Sequence, residues 1–129
     1  MPGPESFQYA VLRVVPHVER GELLNAGVVL FARRHRFLAA RTELDEAALA
    51  ALAPDCELAQ VAAHLRTLER VAAGDEAAGP IARLEPSERF HWLTAPASTI
   101  VQPSPVHTGL TDDPAAELDR LFARLVARG

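Results

Sequence analysis

Residues 7–42, FQYAVLRVVPHVERGELLNAGVVLFARRHRFLAART, decide the fold. Residues 7–15 (FQYAVLRVV) are rich in β-branched and aromatic side chains and stop at Pro16, which predicts a strand. Alternation places Phe7, Tyr9, Val11, Arg13 and Val15 on one face, and Ala10, Leu12 and Val14 on the other. Both faces are apolar, as in a central strand covered twice, and Arg13 is the exception. Residues 17–22 form a polar loop with Gly21 at a positive-φ position. Residues 23–32 (LLNAGVVLFA) are a second strand, in which Asn25 and Gly27 are weak strand formers. A glycine inside a strand marks a bulge or a close backbone approach. Residues 33–36 (RRHR) read as a tight turn, and residues 37–42 as a third strand. The short connections predict an antiparallel meander.

Helices follow. Asp45 caps a first one that runs through Leu52 and ends at Pro54, and Asp55 is positioned to cap a second. There Leu58, Val61, Leu65, Leu68 and Ala72 recur at spacings of three and four, an apolar stripe closed by Gly74. Residues 81–84 read as a short strand or a turn. The last helix is the best signalled, with Asp113 at the N-cap, Pro114 at the first helical position and a stripe of Leu118, Leu121, Phe122, Leu125 and Val126. The expected class is α+β: an antiparallel sheet with a three-strand N-terminal meander and an added C-terminal strand, packed by helices, with the final helix closing the fold. The expected organisation is a flexible N-terminus over residues 1–6 and one domain over residues 7–128.

Composition bounds the function. The chain has 129 residues, 49% of them hydrophobic, enough for one domain with its own core. Every one of the 13 basic residues is Arg. Either codon usage or a need for guanidinium chemistry, which Lys cannot supply, accounts for that. A net charge of −4 and a pI near 5.7 argue against sequence-independent nucleic-acid binding, which needs a basic footprint. The single cysteine, Cys56, leaves no intramolecular disulfide and fits a reducing compartment. The N-terminus has no basic and apolar signal-peptide pattern, and the longest apolar run, 23–32, is about half a membrane span. The expectation is a soluble cytoplasmic protein.

One segment is unusual. From Phe90 to Thr111 (FHWLTAPASTIVQPSPVHTGLT) there is no Asp, Glu or Arg, although charged residues make up 23% of the chain. Pro96, Pro103 and Pro105 exclude a membrane helix. Phe90, Trp92, Leu93, Ile100, Val101 and Leu110 favour burial. The segment is expected to pack on the domain in partly extended form, with residues 99–102 adding a strand. Its hydroxyls and imidazoles either satisfy one another or face a ligand or partner.

Catalytic signatures are absent. Neither Ser98 nor Ser104 lies in a nucleophile elbow with His107 as base. The five histidines have no zinc-site spacing, and no glycine-rich phosphate loop exists. No catalytic residue, metal or cofactor is therefore assigned. Arg33, Arg34, Arg36 and Arg41 cluster about one hairpin, either contacting a phosphate or acidic surface or guarding an edge. Arg13 must be paired or functional, because a lone charge in an apolar strand is costly. Its expected partner is Glu43, Asp45, Glu88 or a bound anion, and Arg89 is a second guanidinium that could converge on the same place.

Two stretches carry a family resemblance: residues 9–31 (YAVLRVVPHVERGELLNAGVVLF) and 89–122 (RFHWLTAPASTIVQPSPVHTGLTDDPAAELDRLF). Together they resemble the bacterial family called domain of unknown function 3037, over about residues 7–126. The positions that match its motifs include Arg13, Pro16, Arg20, Gly21, Glu22, Asn25 and Gly27, then Arg89, Ser98, Thr99, Gln102 and His107. Ala97 departs from it, since relatives often carry Arg there, which puts anion binding in doubt. The resemblance implies a small cytoplasmic protein and a partner, a kinase similar to the HipA toxin kinases. Two expectations result. The first is a binding or regulatory module that meets a partner protein through residues 20–27 and 98–107, with self-association open. The second is a site for an anionic small molecule or nucleotide phosphate. It is built from Arg13, Asn25, Gly27, Arg89, Ser98, Thr99, Gln102, Ser104 and His107.

Overall fold

The computed structural model describes residues 3–97 and 99–127. The meander forms as the sequence predicts: β1 (Glu5–Val14), β2 (Leu24–Ala32) and β3 (Phe37–Thr42) pair antiparallel. A 3₁₀ turn at Val18–Arg20 leads into Gly21 at φ +69° between β1 and β2. Another at Arg33–His35, with Arg36 at φ +53°, joins β2 to β3. α1 (Glu46–Leu52) is capped by Asp45, whose carboxylate accepts from the Ala48 N–H at 3.0 Å. α2 (Leu58–Ala73) starts after Glu57 rather than at Asp55, and Gly74 ends it at φ +74°. α4 (Pro114–Leu125) has Asp113 as its cap, accepting from the Ala116 N–H at 3.1 Å.

The C-terminal half holds more structure than expected. Of the two readings for residues 81–84 the turn is the one that forms, a 3₁₀ turn over Pro80–Arg83 with Leu84 as its C-cap. An unforeseen helix, α3 (Pro86–Leu93), takes up the start of the charge-free run. Its proline stands in the first helical turn, where a missing N–H costs nothing. The run then supplies two strands, β4 (Val101–Pro103) and β5 (His107–Thr111). Both pair antiparallel with β1, β4 at residues 12–14 and β5 at residues 5–9, so they lie end to end along one edge. The added strand therefore covers Val101–Pro103 rather than residues 99–102, and gains a second piece.

Ser104 bridges the interval between β4 and β5. Its N–H donates to the Val11 carbonyl at 2.8 Å. Its hydroxyl accepts from the Val11 N–H at 2.8 Å and donates to the Pro105 carbonyl at 2.9 Å. A side chain thus supplies the acceptor that an uninterrupted strand would have provided from its backbone.

The sheet is covered on both faces. On one, Ala10, Leu12, Val14 and Val29 meet Leu65, Leu68 and Val71 of α2 and Phe90 and Leu93 of α3. On the other, Phe7, Val28, Leu30 and Ala32 meet Leu118, Leu121 and Phe122 of α4. This is the doubly covered central strand that the alternation in β1 implies. The ladder slips between Leu12 and Arg13: Leu12 opposes Gly27 and Arg13 opposes Asn25, leaving Ala26 as the bulged residue. The bulge puts Asn25 on the α4 face together with Val28, although the two are an odd number of residues apart. Gly27 is required there, because a Cβ would lie 2.8 Å from Thr42 Cγ2 and 3.0 Å from the Arg41 carbonyl oxygen. Replacing Gly27 by Ala is expected to destabilise the chain by about 1–3 kcal/mol through overpacking, read by denaturant unfolding; an unchanged midpoint contradicts this account of the bulge.

Candidate functional site

The two guanidiniums do not converge. Arg89, on α3, lies on the α2 face of the sheet. It donates to the Leu84 carbonyl at 2.7 Å and to the Ala72 carbonyl at 3.4 Å, and its guanidinium sits against Gly74. Arg89 therefore closes the C-terminal end of α2, where carbonyls lack partners and a cation opposes the negative end of the helix dipole. Arg13 is on the opposite, α4 face. Among the described residues it makes no ion pair with Glu43, Asp45 or Glu88, and its buried Nε has no acceptor. Neither expected carboxylate pairing nor a shared Arg13–Arg89 anion pocket is present.

The other candidate residues are mostly occupied. Asn25 Nδ2 donates to the Leu125 carbonyl at 3.1 Å and ties the end of α4 to the sheet. Gln102 stands opposite Arg13 on β4, but its amide donates to the Thr99 carbonyl at 3.1 Å. The Thr99 hydroxyl donates to the Val101 carbonyl at 2.8 Å. Gly27 serves the bulge and Ser104 the β4–β5 junction. His107 pairs with Tyr9, ring centroids 5.2 Å apart, and lies four residues along β1 from Arg13, roughly 13 Å away. Ser98 lies outside the described residues. Among the described residues both Arg13 Nε and Arg89 Nε are buried without an acceptor. The other nitrogens of Arg89 are bonded to backbone carbonyls, whereas Arg13, with Asn25 and Gln102 opposite it on the neighbouring strands, has no such bond.

The hairpin arginines also have internal partners. Arg33 lies over the Phe31 ring, Arg34 reaches Glu5 at 3.7 Å, and Arg41 pairs with Asp119 at 2.8 Å while covering Phe122. The remaining member, Arg36, supplies the left-handed turn residue. No group of three or more His, Cys, Asp or Glu among the described residues is placed to hold a metal ion. Cys56 lines a cavity of about 380 Å³ with His17, Asp55, Glu57 and His64. Burial, then the Asp55 and Glu57 carboxylates, push its thiol above the usual cysteine range. That is the reverse of an activated nucleophile, which needs positive charge nearby.

What the charge-free run builds is a surface. Three depressions adjoin along it. The first, about 400 Å³, lies between Leu84, Ser87, Glu88, His91 and Trp92, so one wall comes from residues ahead of the run and carries a carboxylate. The second, about 210 Å³, shares Trp92 and Ala95 with it and has Leu12, Leu68, Leu93 and Val101 as its floor. The third, about 310 Å³, shares Pro96, Ala97 and Pro103 with the second and ends at Pro105 and Val106. Trp92 stands between the first two and is 43% exposed. Phe90, Leu93 and Val101 are buried as the sequence implies, whereas Trp92 and Leu110 are not. Their exposure has no signal in the sequence beyond the missing charges.

A family model described as protein of unknown function (DUF3037) matches residues 9–126. No curated protein and no solved structure matches the chain. No helix among the described residues is long and apolar enough to cross a membrane.

The contrast between the two arginines is measurable. Arg89→Met leaves the Ala72 and Leu84 carbonyls unpaired and is expected to cost about 1–3 kcal/mol. Arg13→Met removes an unpartnered buried N–H and is expected to leave stability within about 0.5 kcal/mol or raise it. Unfolding of the two variants side by side decides, and a large loss for Arg13→Met would mean that Arg13 holds the fold together.

Proposed function

The chain belongs to the family described as protein of unknown function (DUF3037), and on that premise we propose that it is a binding module whose work is to dock a partner protein in the groove around Trp92. The observation that carries this reading is the coincidence of two features. The run without Asp, Glu or Arg contributes to three adjoining depressions, two of them without a carboxylate or guanidinium in their lining and the first bordered by Glu88, and the protein's one tryptophan stands half-exposed between the first two. Interface centres are depleted in charge and enriched in aromatic anchors, and tryptophan heads the residues that dominate binding energy. The occupant that fits is an apolar, uncharged segment of a partner, since any charge placed against Pro96, Ala97 and Pro103 would lose water without gaining a counter-ion. The partner implied by the family resemblance is a HipA-like kinase. The module would regulate or position that protein rather than perform chemistry.

A second reading rests on Arg13. An unpaired guanidinium beside two amides suits a small oxyanion, the remaining form of the phosphate-site expectation. It no longer includes Arg89. Titrating inorganic phosphate against the chain and against Arg13→Met checks it: the reading expects a stabilising shift in Tm that the variant abolishes. A flat response in both ends it.

The partner reading is tested by co-expressing the chain with the HipA-like kinase and resolving the mixture by size-exclusion chromatography. Co-elution is expected, and Trp92→Ala, at a position already open to water, is expected to weaken the complex about 30-fold or more while keeping the native circular-dichroism spectrum. Separate elution of the two wild-type proteins, or an undiminished complex with Trp92→Ala, overturns it.

A further inference from the structure

The sheet has two edges of different character. β3 is sandwiched: Leu38 and Ala40 pack on the α2 side, Phe37 and Ala39 on the α4 side, and Arg41 pairs with Asp119 of α4. β5 has only β1 beside it among the described strands. Natural sheets guard such edges with charged side chains, because an unpaired backbone ladder is a template for another strand. β5 carries none. Leu110 is 71% exposed and Val106, just before the strand, 40%.

The strand's outward side can be read from its pairing. Val11 of β1 and Val15, the residue after β1, direct their N–H groups toward the β4–β5 edge, to Ser104 and to the Ile100 carbonyl. Antiparallel alternation then gives His107, Gly109 and Thr111 to β1, opposite Tyr9, Phe7 and Glu5. The N–H and C=O groups of Thr108 and Leu110 face outward. Their side chains, opposite the exposed Gln8 and Ser6, lie on the sheet face away from Phe7. Gly109 sits between them, and the Phe7 ring fills the place a Cβ would take, 2.7 Å from Phe7 Cε1.

We propose that this edge joins two copies of the chain, β5 to β5, antiparallel about a two-fold axis through Gly109. That register opposes Gly109 to its own symmetry mate. It opposes Thr108 of one copy to Leu110 of the other, so the outward backbone groups of both residues meet in reciprocal hydrogen bonds that the symmetry repeats. The glycines fall at a non-hydrogen-bonded rung, where the two backbones come closest. The exposed leucines flank that rung on one face and cover the Thr108 methyl groups. Charge favours this edge over the charged faces of the molecule. Each copy is net −4, and a contact through β5 brings copies together without pairing charged side chains of that strand. Residues 107–111 line none of the three depressions, and Val106 alone is shared between groove and edge, so the chain would present one partner groove per copy.

Size-exclusion chromatography with light scattering, run across a concentration series, tests the proposal. The wild-type chain is expected at twice its 13.9 kDa mass. Thr108→Pro removes an outward N–H that β1 does not use and is tolerated on an edge strand; Leu110→Lys adds the missing guard. Both are expected to run as folded monomers, and Trp92→Ala is expected to remain a dimer. Hydrogen exchange is expected to slow at the Thr108 and Leu110 amides as concentration rises. A wild-type monomer at every concentration overturns the proposal, as does a dimer that survives both edge substitutions.

Discussion

The backbone of Val11 is where the C-terminal half of the chain is fastened to the N-terminal half. β1 is bonded along one edge to β2, and its other edge must be met by a segment that begins almost ninety residues later. No single strand does this. β4 and β5 each cover part of β1, and Ser104 fills the interval with its own N–H and hydroxyl. A buried Val11 N–H without that hydroxyl would cost about 1–3 kcal/mol. Ser104, which in sequence resembles a nucleophile, is thus a piece of the ladder.

The same logic runs through the other polar residues of the core. The bulge at Ala26 turns Asn25 toward α4, where it takes the Leu125 carbonyl and holds the closing helix in register. Arg89 serves the end of α2 from the opposite face. Each satisfies backbone groups that helix ends leave bare. Residues that a motif comparison gathers into one site are therefore spread over two faces of a sheet, and most have a structural task.

What remains is a contrast in surface chemistry. Charged side chains stand on the outward sides of α2 (Arg66, Arg70) and α4 (Asp119, Arg120, Arg124), while the region built by residues 90–111 is neutral, aromatic in part and incompletely buried. Its groove and its open edge lie on successive stretches of one segment. A chain using that segment both to pair with itself and to hold a partner would need it free of charge, and charge carried anywhere along it would be desolvated in one contact or the other.

Much of the fold was readable in residues close together in the chain. The alternation in residues 7–15, the turn at Gly21, the caps Asp45 and Asp113 with Pro114, and the stripe of α2 each act over a few positions, so composition and spacing reveal them. α3 escaped because it is short, begins with proline and is rich in aromatic residues, all of which read equally well as loop. β5 escaped because the strand it packs on, with Phe7 against Gly109, lies a hundred residues away in the chain. By itself the sequence determined the meander, the capped helices and the stretch without charge. Only the tertiary structure decided which strand that stretch pairs with, that Arg13 and Arg89 face opposite ways, and that Trp92 stays in water. Those outcomes depend on register across the sheet, where a shift of one residue reverses every side chain, and no local pattern encodes that register.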